Sequence, residues 1–206
     1  CHEVADGDER LVDPTEIGPG TGRELGLPGV LEHLGEAFAD AAQRELDRVA
    51  DRDLVVEAVS ESLDLKRGIF EQLDTIVGPD AVLATNTSSL SVTKLAAELS
   101  HPSRFLGLHF FNPVPVLPLV ELVTTLVTSP AAAARTEQFA ATVLGKQVIR
   151  CSDRSGFVVN ALLVPFILSA IRMYESGFAS AEAIDRGLVL GAAHPQGPLA
   201  LADLIG

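Results

Sequence analysis

The chain has 206 residues, of which 47% are apolar and 21% are charged, and its formal net charge is −13 at pH 7. This length is enough for one or two small domains with a real core, and the acidic balance argues against nucleic acid or an anionic membrane surface as a partner. The two cysteines, Cys1 and Cys151, form neither a metal-ligand spacing nor a disulfide framework, so we predict no metal site and a reducing, cytoplasmic location.

The first 50 residues differ in composition from the rest. Residues 1–53 carry 14 acidic and 5 basic side chains. The glycine-rich segment 18–26 looks like a phosphate-binding loop at first sight, but it contains no G-x-G-x-x-G and follows no apolar strand. We therefore predict an atypical acidic segment over residues 1–50, with a solvated loop at 18–26 and a moderately amphipathic helix over 30–49.

From residue 54 onward, short apolar runs alternate with segments of helical periodicity. Strands that alternate with helices imply crossover connections, so we predict an α/β domain with a largely parallel sheet over residues 51–152. The apolar runs predict buried strands at residues 54–59, 81–85, 104–109, 119–123 and 147–151. The helical periodicity predicts helices at residues 63–77, 91–99 and 131–144.

The pattern becomes helical after residue 152. Helices are predicted at 157–176, at 180–190 and from residue 199, which gives a helical domain over 153–206. Polar residues interrupt the longest apolar run, which favours a buried domain helix over a membrane span. This helical part is too short to close its own core, so we expect further chain or a partner subunit to cover it.

His109 closes the apolar run 104–109, and Asn112-Pro113 follows it. Because ligands in open α/β sheets bind beyond the carboxyl ends of the strands, an imidazole at this point lies where chemistry takes place. Glu121 lies in the next apolar run, where a buried carboxylate is costly unless it is paired. We therefore predict that Glu121 contacts His109 and orients it as a general base.

Other polar side chains leave alternatives open. The segment Asn86-Thr87-Ser88-Ser89 follows a predicted strand, where it suits a substrate oxygen or the cap of the next helix. Asn160 lies in the long apolar helix, where its amide bonds either backbone at the domain junction or substrate in the cleft. Glu61 and Lys66 form either an exposed ion pair or a cofactor contact at the end of a strand.

Several of these segments together resemble a known family, the L-3-hydroxyacyl-CoA dehydrogenases, and most closely its bacterial 3-hydroxybutyryl-CoA subgroup. The resemblance covers about residues 51–206. The segments that carry it are NTSS at 86–89, GLHFFNPVP at 107–115, LVE at 119–121, SGFVVN at 155–160 and HPQGPL at 194–199.

The resemblance implies a Rossmann domain followed by a helical dimerisation domain. It implies an oxidoreductase that interconverts 3-hydroxyacyl-CoA and 3-oxoacyl-CoA with NAD or NADP, in fatty acid β-oxidation or butanoate metabolism, as a homodimer. It also implies site residues. The catalytic ones would be His109, Glu121, Ser88 and Asn160, of which Ser88 and Asn160 would bind the reacting oxygen and position the substrate. The residues lining the cofactor or substrate would be Ala58, Glu61, Lys66, Asn86 and Asn112.

The chain also departs from the family pattern. Residues 1–50 have no counterpart of the opening strand, glycine turn, helix and second strand, and the last dimer helices are cut off. We therefore expect an incomplete Rossmann-like sheet, a truncated helical domain and weak binding of a nicotinamide cofactor by this chain alone. Two alternatives remain: an inactive fragment or pseudoenzyme that retains only the helical interface, and a related oxidoreductase that acts on a sugar acid.

Overall fold

The structure, a computed structural model, describes residues 48–205 of the chain. The loop predicted at residues 18–26 and nearly all of the helix predicted over 30–49 lie outside the described residues. Within residues 48–205, each predicted strand and helix is present, with ends that differ from prediction by at most three residues.

The first part of the described chain alternates strands and helices. A short 3₁₀ helix, Pro102–Arg104, precedes the third strand. The strands are β1 (Leu54–Glu57), β2 (Val82–Thr85), β3 (Phe105–Phe110), β4 (Leu119–Thr124) and β5 (Gln147–Ser152). The helices of this part are α1 (Leu63–Ile76), α2 (Val92–Ala96) and α3 (Pro130–Thr142).

The five strands form one sheet in the order β1-β2-β3-β4-β5. The predicted Rossmann-like α/β fold is confirmed, and three of the four strand pairs are parallel. The pair β3–β4 is antiparallel, so the sheet is mixed. The physical reason is the connection 111–118, which contains no helix and is too short for the crossover that parallel neighbours need.

Apolar side chains on the two faces of the sheet make two core clusters. On one face, Leu83 and Phe105 pack against α1 and α2, and the ring of Phe70 meets that of Phe105 edge-on at 4.7 Å. On the other face, Leu106 and Leu108 pack against α3. Successive strand residues point to opposite faces, so helices on both sides bury β2, β3 and β4, whereas the edge strand β5 is partly exposed.

Serine residues set the starts of most helices. At each start the serine hydroxyl accepts a backbone N–H of the first turn, which is worth about 1 kcal/mol per helix. The helical part consists of α4 (Val159–Glu175), α5 (Ala181–Ala192) and α6 (Pro198–Ile205). The capping serines are Ser62, Ser91, Ser129 and Ser180, at the starts of α1, α2, α3 and α5.

The helical part leaves several large apolar side chains in contact with solvent. Leu162 of α4 is 72% exposed, Leu190 of α5 is 74% exposed and Phe178, between these helices, is 79% exposed. None of the helices between residues 48 and 205 combines the length and hydropathy needed to cross a membrane.

Candidate active site

His109 and Glu121 are direct cross-strand neighbours on β3 and β4. Their side chains project from the same face of the sheet, as opposed residues of antiparallel strands do. Nδ1 of His109 lies 2.7 Å from Oε2 of Glu121, and both side chains are buried. The predicted contact is therefore present, and it depends on the antiparallel pairing that the sequence did not predict.

The second oxygen of Glu121 binds the start of α4. Oε1 accepts the backbone N–H groups of Val158 and Val159 at 3.0 Å and 2.9 Å. The preceding turn, with positive φ at Gly156 and Phe157, directs these N–H groups toward the carboxylate. Two N–H donors and the positive end of a helix stabilise the negative charge of Glu121. Sequence reasoning missed this contact.

Ser88 occupies the other side of the imidazole. Its Oγ lies 3.0 Å from Nε2 of His109. The loop after β2 and the end of β3 meet at the same edge of the sheet because these neighbouring strands are parallel. His109 therefore bridges a hydroxyl and a carboxylate, and Nδ1 donates to the carboxylate because an ionised carboxylate only accepts. Nε2 then carries the lone pair that can accept a proton.

Glu61 holds the loop that carries Ser88. Its Oε1 accepts the N–H groups of Ser88 and Ser89 at 3.0 Å and 3.1 Å, together with the hydroxyls of Thr87 and Ser89. Burial alone would raise the pKa of Glu61, but these hydrogen bonds outweigh it and lower the pKa below its ordinary value. Glu61 thus stays ionised at neutral pH and orders the loop.

Asn160 and Ser88 line the same cavity, which has a volume of about 590 Å³. Gly156 and Arg154 contribute to the same wall, from the turn before α4. The Asn160 amide is half-buried and makes no side-chain hydrogen bond to any of residues 48–205, so it is available to a ligand.

A second cavity of about 300 Å³ lies at the amino ends of β1 and β2, where Leu54 is part of its lining.

The remaining predicted residues have different surroundings. Asn86 accepts the Phe110 N–H at 3.2 Å through its side chain. Lys66 is fully buried, where it binds Glu57 at 2.8 Å. Its Nζ also lies 3.7 Å from Oε2 of Glu61, so the ion pair considered from the sequence is present, but its lysine is not exposed. Asn112 and Ala58 are exposed at the carboxyl edge. The amide of Asn112 makes no hydrogen bond to His109, Glu121 or Ser88 within residues 48–205. No cluster of metal-ligating side chains occurs within the described part of the chain.

Two family models match nearly all of the described chain. The model described as "3-hydroxyacyl-CoA dehydrogenase, NAD binding domain" matches residues 37–154. The model described as "3-hydroxyacyl-CoA dehydrogenase, C-terminal domain" matches residues 156–206. The first match begins before residue 51, where the resemblance was expected to start.

Individual relatives and solved structures indicate the same family as the two models. The chain is 66% identical over 163 residues to a 3-hydroxybutyryl-CoA dehydrogenase of Mycobacterium tuberculosis, a match that covers 79% of this chain and 57% of that protein. The crystal structure of M. tuberculosis FadB2 matches with a TM-score of 0.76 and 57% identity, over 86% of this chain and 68% of that one. The (S)-3-hydroxybutyryl-CoA dehydrogenase PaaH1 of Ralstonia eutropha matches with a TM-score of 0.76 and 40% identity, over 89% and 71% of the two chains.

Proposed function

This chain belongs to the 3-hydroxyacyl-CoA dehydrogenase family, and on that premise we propose that it carries the catalytic part of a short-chain 3-hydroxyacyl-CoA dehydrogenase. The reaction is the interconversion of 3-hydroxybutyryl-CoA and acetoacetyl-CoA with a nicotinamide cofactor. The observation that carries the proposal is the bridge that His109 makes between Ser88 and Glu121. The names of the similar proteins support the choice of a short acyl chain.

His109 is the general base for the oxidation. Its Nε2 takes the proton of the 3-hydroxyl group as the oxygen becomes a carbonyl. Glu121 holds the ring through Nδ1 and stabilises the imidazolium that forms, because the positive ring then lies 2.7 Å from a buried carboxylate. Positioned proton transfer of this kind contributes about 10²–10⁴-fold to a rate.

Ser88 and Asn160 position the reacting oxygen. The Ser88 hydroxyl lies at the accepting nitrogen of His109, so a substrate oxygen bound to both sits where the proton is transferred. Asn160 shares the cavity wall with Ser88, and its free amide holds the oxygen or the thioester carbonyl of the substrate. In the reverse direction, these groups polarise the ketone while His109 returns the proton.

The residues at the carboxyl edge fit the nicotinamide end of the cofactor. The exposed amide of Asn112 has both a donor and an acceptor, as a carboxamide requires. Ala58 leaves the end of β1 free of a bulky side chain, so a flat ring can approach the backbone there. When bound, the cofactor supplies the acceptor for the hydride that leaves the hydroxyl-bearing carbon.

The apolar surface of the helical part supports a homodimer. The large exposed side chains of α4–α6 and their connections, among them Leu162, Phe178 and Leu190, belong in a buried interface. A second copy of the chain covers them in this proposal. We place the enzyme in the cytoplasm, in fatty acid or butanoate metabolism. The chain spans 57% of the length of its M. tuberculosis relative, so these properties are proposed for the protein to which this chain corresponds.

Substrate binding by the 206-residue chain tests the proposal. Calorimetric titration with acetoacetyl-CoA should give saturable binding, and Asn160→Ala should weaken it about tenfold, the value of one lost hydrogen bond. Gln138→Ala, which removes an exposed amide from α3, should leave the affinity unchanged. Acetoacetyl-CoA-dependent oxidation of NADH by the same chain then measures turnover.

The outcomes separate the alternatives. Acetoacetyl-CoA that binds no better than free CoA, and is not displaced by other acyl-CoA esters, contradicts the proposal. A chain that fails to bind substrate but assembles with intact subunits of a relative is the inactive fragment considered from the sequence. Turnover of a sugar acid in preference to acetoacetyl-CoA favours the related oxidoreductase considered from the sequence.

A further inference from the structure

A fully buried ion pair lies beneath the candidate site. Glu57 is the last residue of β1, and Lys66 lies in the first turns of α1; their side chains are 2% and 0% exposed. Nζ of Lys66 lies 2.8 Å and 3.0 Å from the two carboxylate oxygens of Glu57. Burying two charges costs free energy unless their polar atoms are satisfied by other groups. The groups that satisfy Glu57 and Lys66 are therefore the parts of the chain that this pair holds in place.

Glu57 joins the ends of two strands. Its Oε1 also accepts the N–H of Val59, in the loop that follows β1, at 2.5 Å. Its Oε2 also accepts the hydroxyl of Thr85, the last residue of β2, at 2.8 Å. The carboxylate therefore fixes the carboxyl ends of β1 and β2 relative to each other.

Lys66 extends the contact to the loop after β2. Its Nζ donates to the carbonyl oxygens of Asn86 at 3.1 Å and Val59 at 3.3 Å. Nζ thus has four hydrogen-bonding oxygen atoms for its three N–H donors, and Oε2 of Glu61 lies a further 3.7 Å away, so the ammonium is saturated by the protein itself. Lys66 therefore acts by holding Glu57, Val59 and Asn86 in place.

Asn86 connects the pair to the reacting residues. Its side-chain oxygen accepts the N–H of Phe110, the neighbour of His109 in β3, at 3.2 Å. Two residues after Asn86, Ser88 places its hydroxyl on Nε2 of His109. Hydrogen bonds therefore connect Glu57 and Lys66 to Asn86 and Phe110, and the two-residue backbone link from Asn86 leads to Ser88.

We propose that Glu57 and Lys66 are a positioning pair, which acts through Asn86 to keep the hydroxyl of Ser88 within hydrogen-bond distance of His109. Glu57 is not among the site residues that the sequence indicates. The catalytic consequence rests on the proposed function, whereas the positioning itself is a property of the chain without substrate. Loss of the pair removes the Lys66 contacts to Asn86 and to Glu61, the residue that holds the loop after β2, so Ser88 is less well held at Nε2.

The test removes both charges together. The double variant Glu57→Gln/Lys66→Met keeps the volumes and leaves no unpaired buried charge. Its readouts are the imidazole ¹⁵N signals of His109, assigned with His109→Gln, and the hydrogen exchange of the Phe110 amide. We expect the Nε2 signal to move in the direction produced by Ser88→Ala, and the Phe110 amide to exchange about tenfold faster while β4 amides stay protected.

A matched control removes a neighbouring exposed pair. Arg67, the residue after Lys66 in α1, pairs with Glu98, which follows α2. Arg67→Met/Glu98→Gln should leave both readouts unchanged. If the buried double variant does not fold, Thr85→Val removes one hydrogen bond from Glu57 and keeps the pair; a smaller shift in the same direction is expected.

The overturning result is a folded double variant, or a folded Thr85→Val, in which the His109 signals and Phe110 exchange match those of the parent chain. Both readouts are taken without substrate, so a failure of the proposed function would leave them unaffected. Where turnover is measurable, the double variant should lower kcat about tenfold with little change in the KM for acetoacetyl-CoA. A general loss of structure would not produce this split.

Discussion

The backbone N–H of Val159 donates a hydrogen bond of 2.9 Å to Oε1 of Glu121, whose other oxygen contacts His109. The N-cap residue of α4, Val158, provides no side-chain cap. The first N–H groups of a helix have no partner within the helix, and a strand residue supplies it here. One carboxylate therefore sets the orientation of the proposed base and anchors the first helix of the helical part.

We expect Glu121→Gln to damage both functions of this carboxylate. The amide NH₂ donates where the carboxylate accepted, so the imidazole loses its orientation and the stabilisation of its charged form. The rate of acetoacetyl-CoA reduction should fall about 10²–10⁴-fold, measured by NADH oxidation. The free energy of unfolding, measured in urea, should fall by about 1–3 kcal/mol because buried hydrogen bonds are weakened.

Glu137→Gln is the control for this variant. Glu137 is on α3 and pairs with Arg150 at the surface, so its loss should cost less than about 1 kcal/mol and leave the rate unchanged. Equal rates for Glu121→Gln and the parent chain would contradict the role given to Glu121.

The fold was largely predictable because its local signals agree. Short apolar runs bounded by polar residues located the strands, and helical periodicity of apolar residues located the helices. The direction of β4 was not predicted, although the missing helical pattern between residues 111 and 118 is a usable signal. Strand direction depends on the length and path of a connection, which an apolar run does not encode.

The sequence predicted those site residues whose chemical type is unusual for their position in the chain. His109 and Glu121 stand out because a carboxylate inside an apolar run needs a partner. Glu57 carries the same signal, since it ends the run of β1 and its partner Lys66 follows nine residues later. The N–H groups of Val158 and Val159 bind Glu121 after a turn with positive φ at Phe157, a conformation that the residue type at this position does not predict.

The turn before α4 requires glycine at position 156. Gly156 has φ of +74°, and a Cβ there would lie 2.7 Å from the backbone nitrogen of Ala161. We expect Gly156→Ala to lower the free energy of unfolding by more than the roughly 1–2 kcal/mol that left-handed backbone alone costs. Thermal or urea unfolding measures the change.

Gly177 serves to separate the cost of the left-handed backbone from the cost of the Cβ clash. Its φ is +71°, yet within residues 48–205 no atom beyond its chain neighbours lies within 4 Å of a Cβ built on it. Gly177→Ala should therefore show the backbone cost alone, and the difference between the two variants gives the cost of the clash. Equal losses for both variants would contradict a steric role for Gly156.

Cys151 of β5 should be an unreactive thiol at neutral pH. Burial, together with the nearby carboxylates of Glu121 and Asp153, raises its pKa to about 11. Because the thiolate is the nucleophile, alkylation by iodoacetamide in a Cys1→Ser background should be about a hundredfold slower at pH 8 than in the same chain unfolded in guanidinium. The rate in the folded chain should rise up to about pH 11; fast alkylation at pH 8 would contradict this.

Asp74 of α1 ties this helix to the segment before β3. Its carboxylate accepts the N–H of Ser100 at 2.6 Å and binds Arg104 at 2.8 Å, and the ring of His101 lies 3.4 Å away. Burial alone would raise the pKa of Asp74, but the contacts with Arg104, Ser100 and His101 outweigh it and lower the pKa. The folded state thus binds the proton of Asp74 more weakly than the unfolded state.

The lowered pKa of Asp74 in the folded state determines the pH range in which this carboxylate stabilises the fold. A carboxyl with a lowered folded pKa contributes fully above its unfolded pKa, near 4, and the contribution is lost as the pH falls through the folded value. Asp74→Asn should therefore lower the free energy of unfolding by about 1–3 kcal/mol at pH 7, and its deficit should narrow below about pH 4. Asp64→Asn, at an exposed position of the same helix, should show neither effect. Urea unfolding between pH 7 and pH 3 measures both variants, and a constant deficit for Asp74→Asn would contradict a lowered pKa in the folded chain.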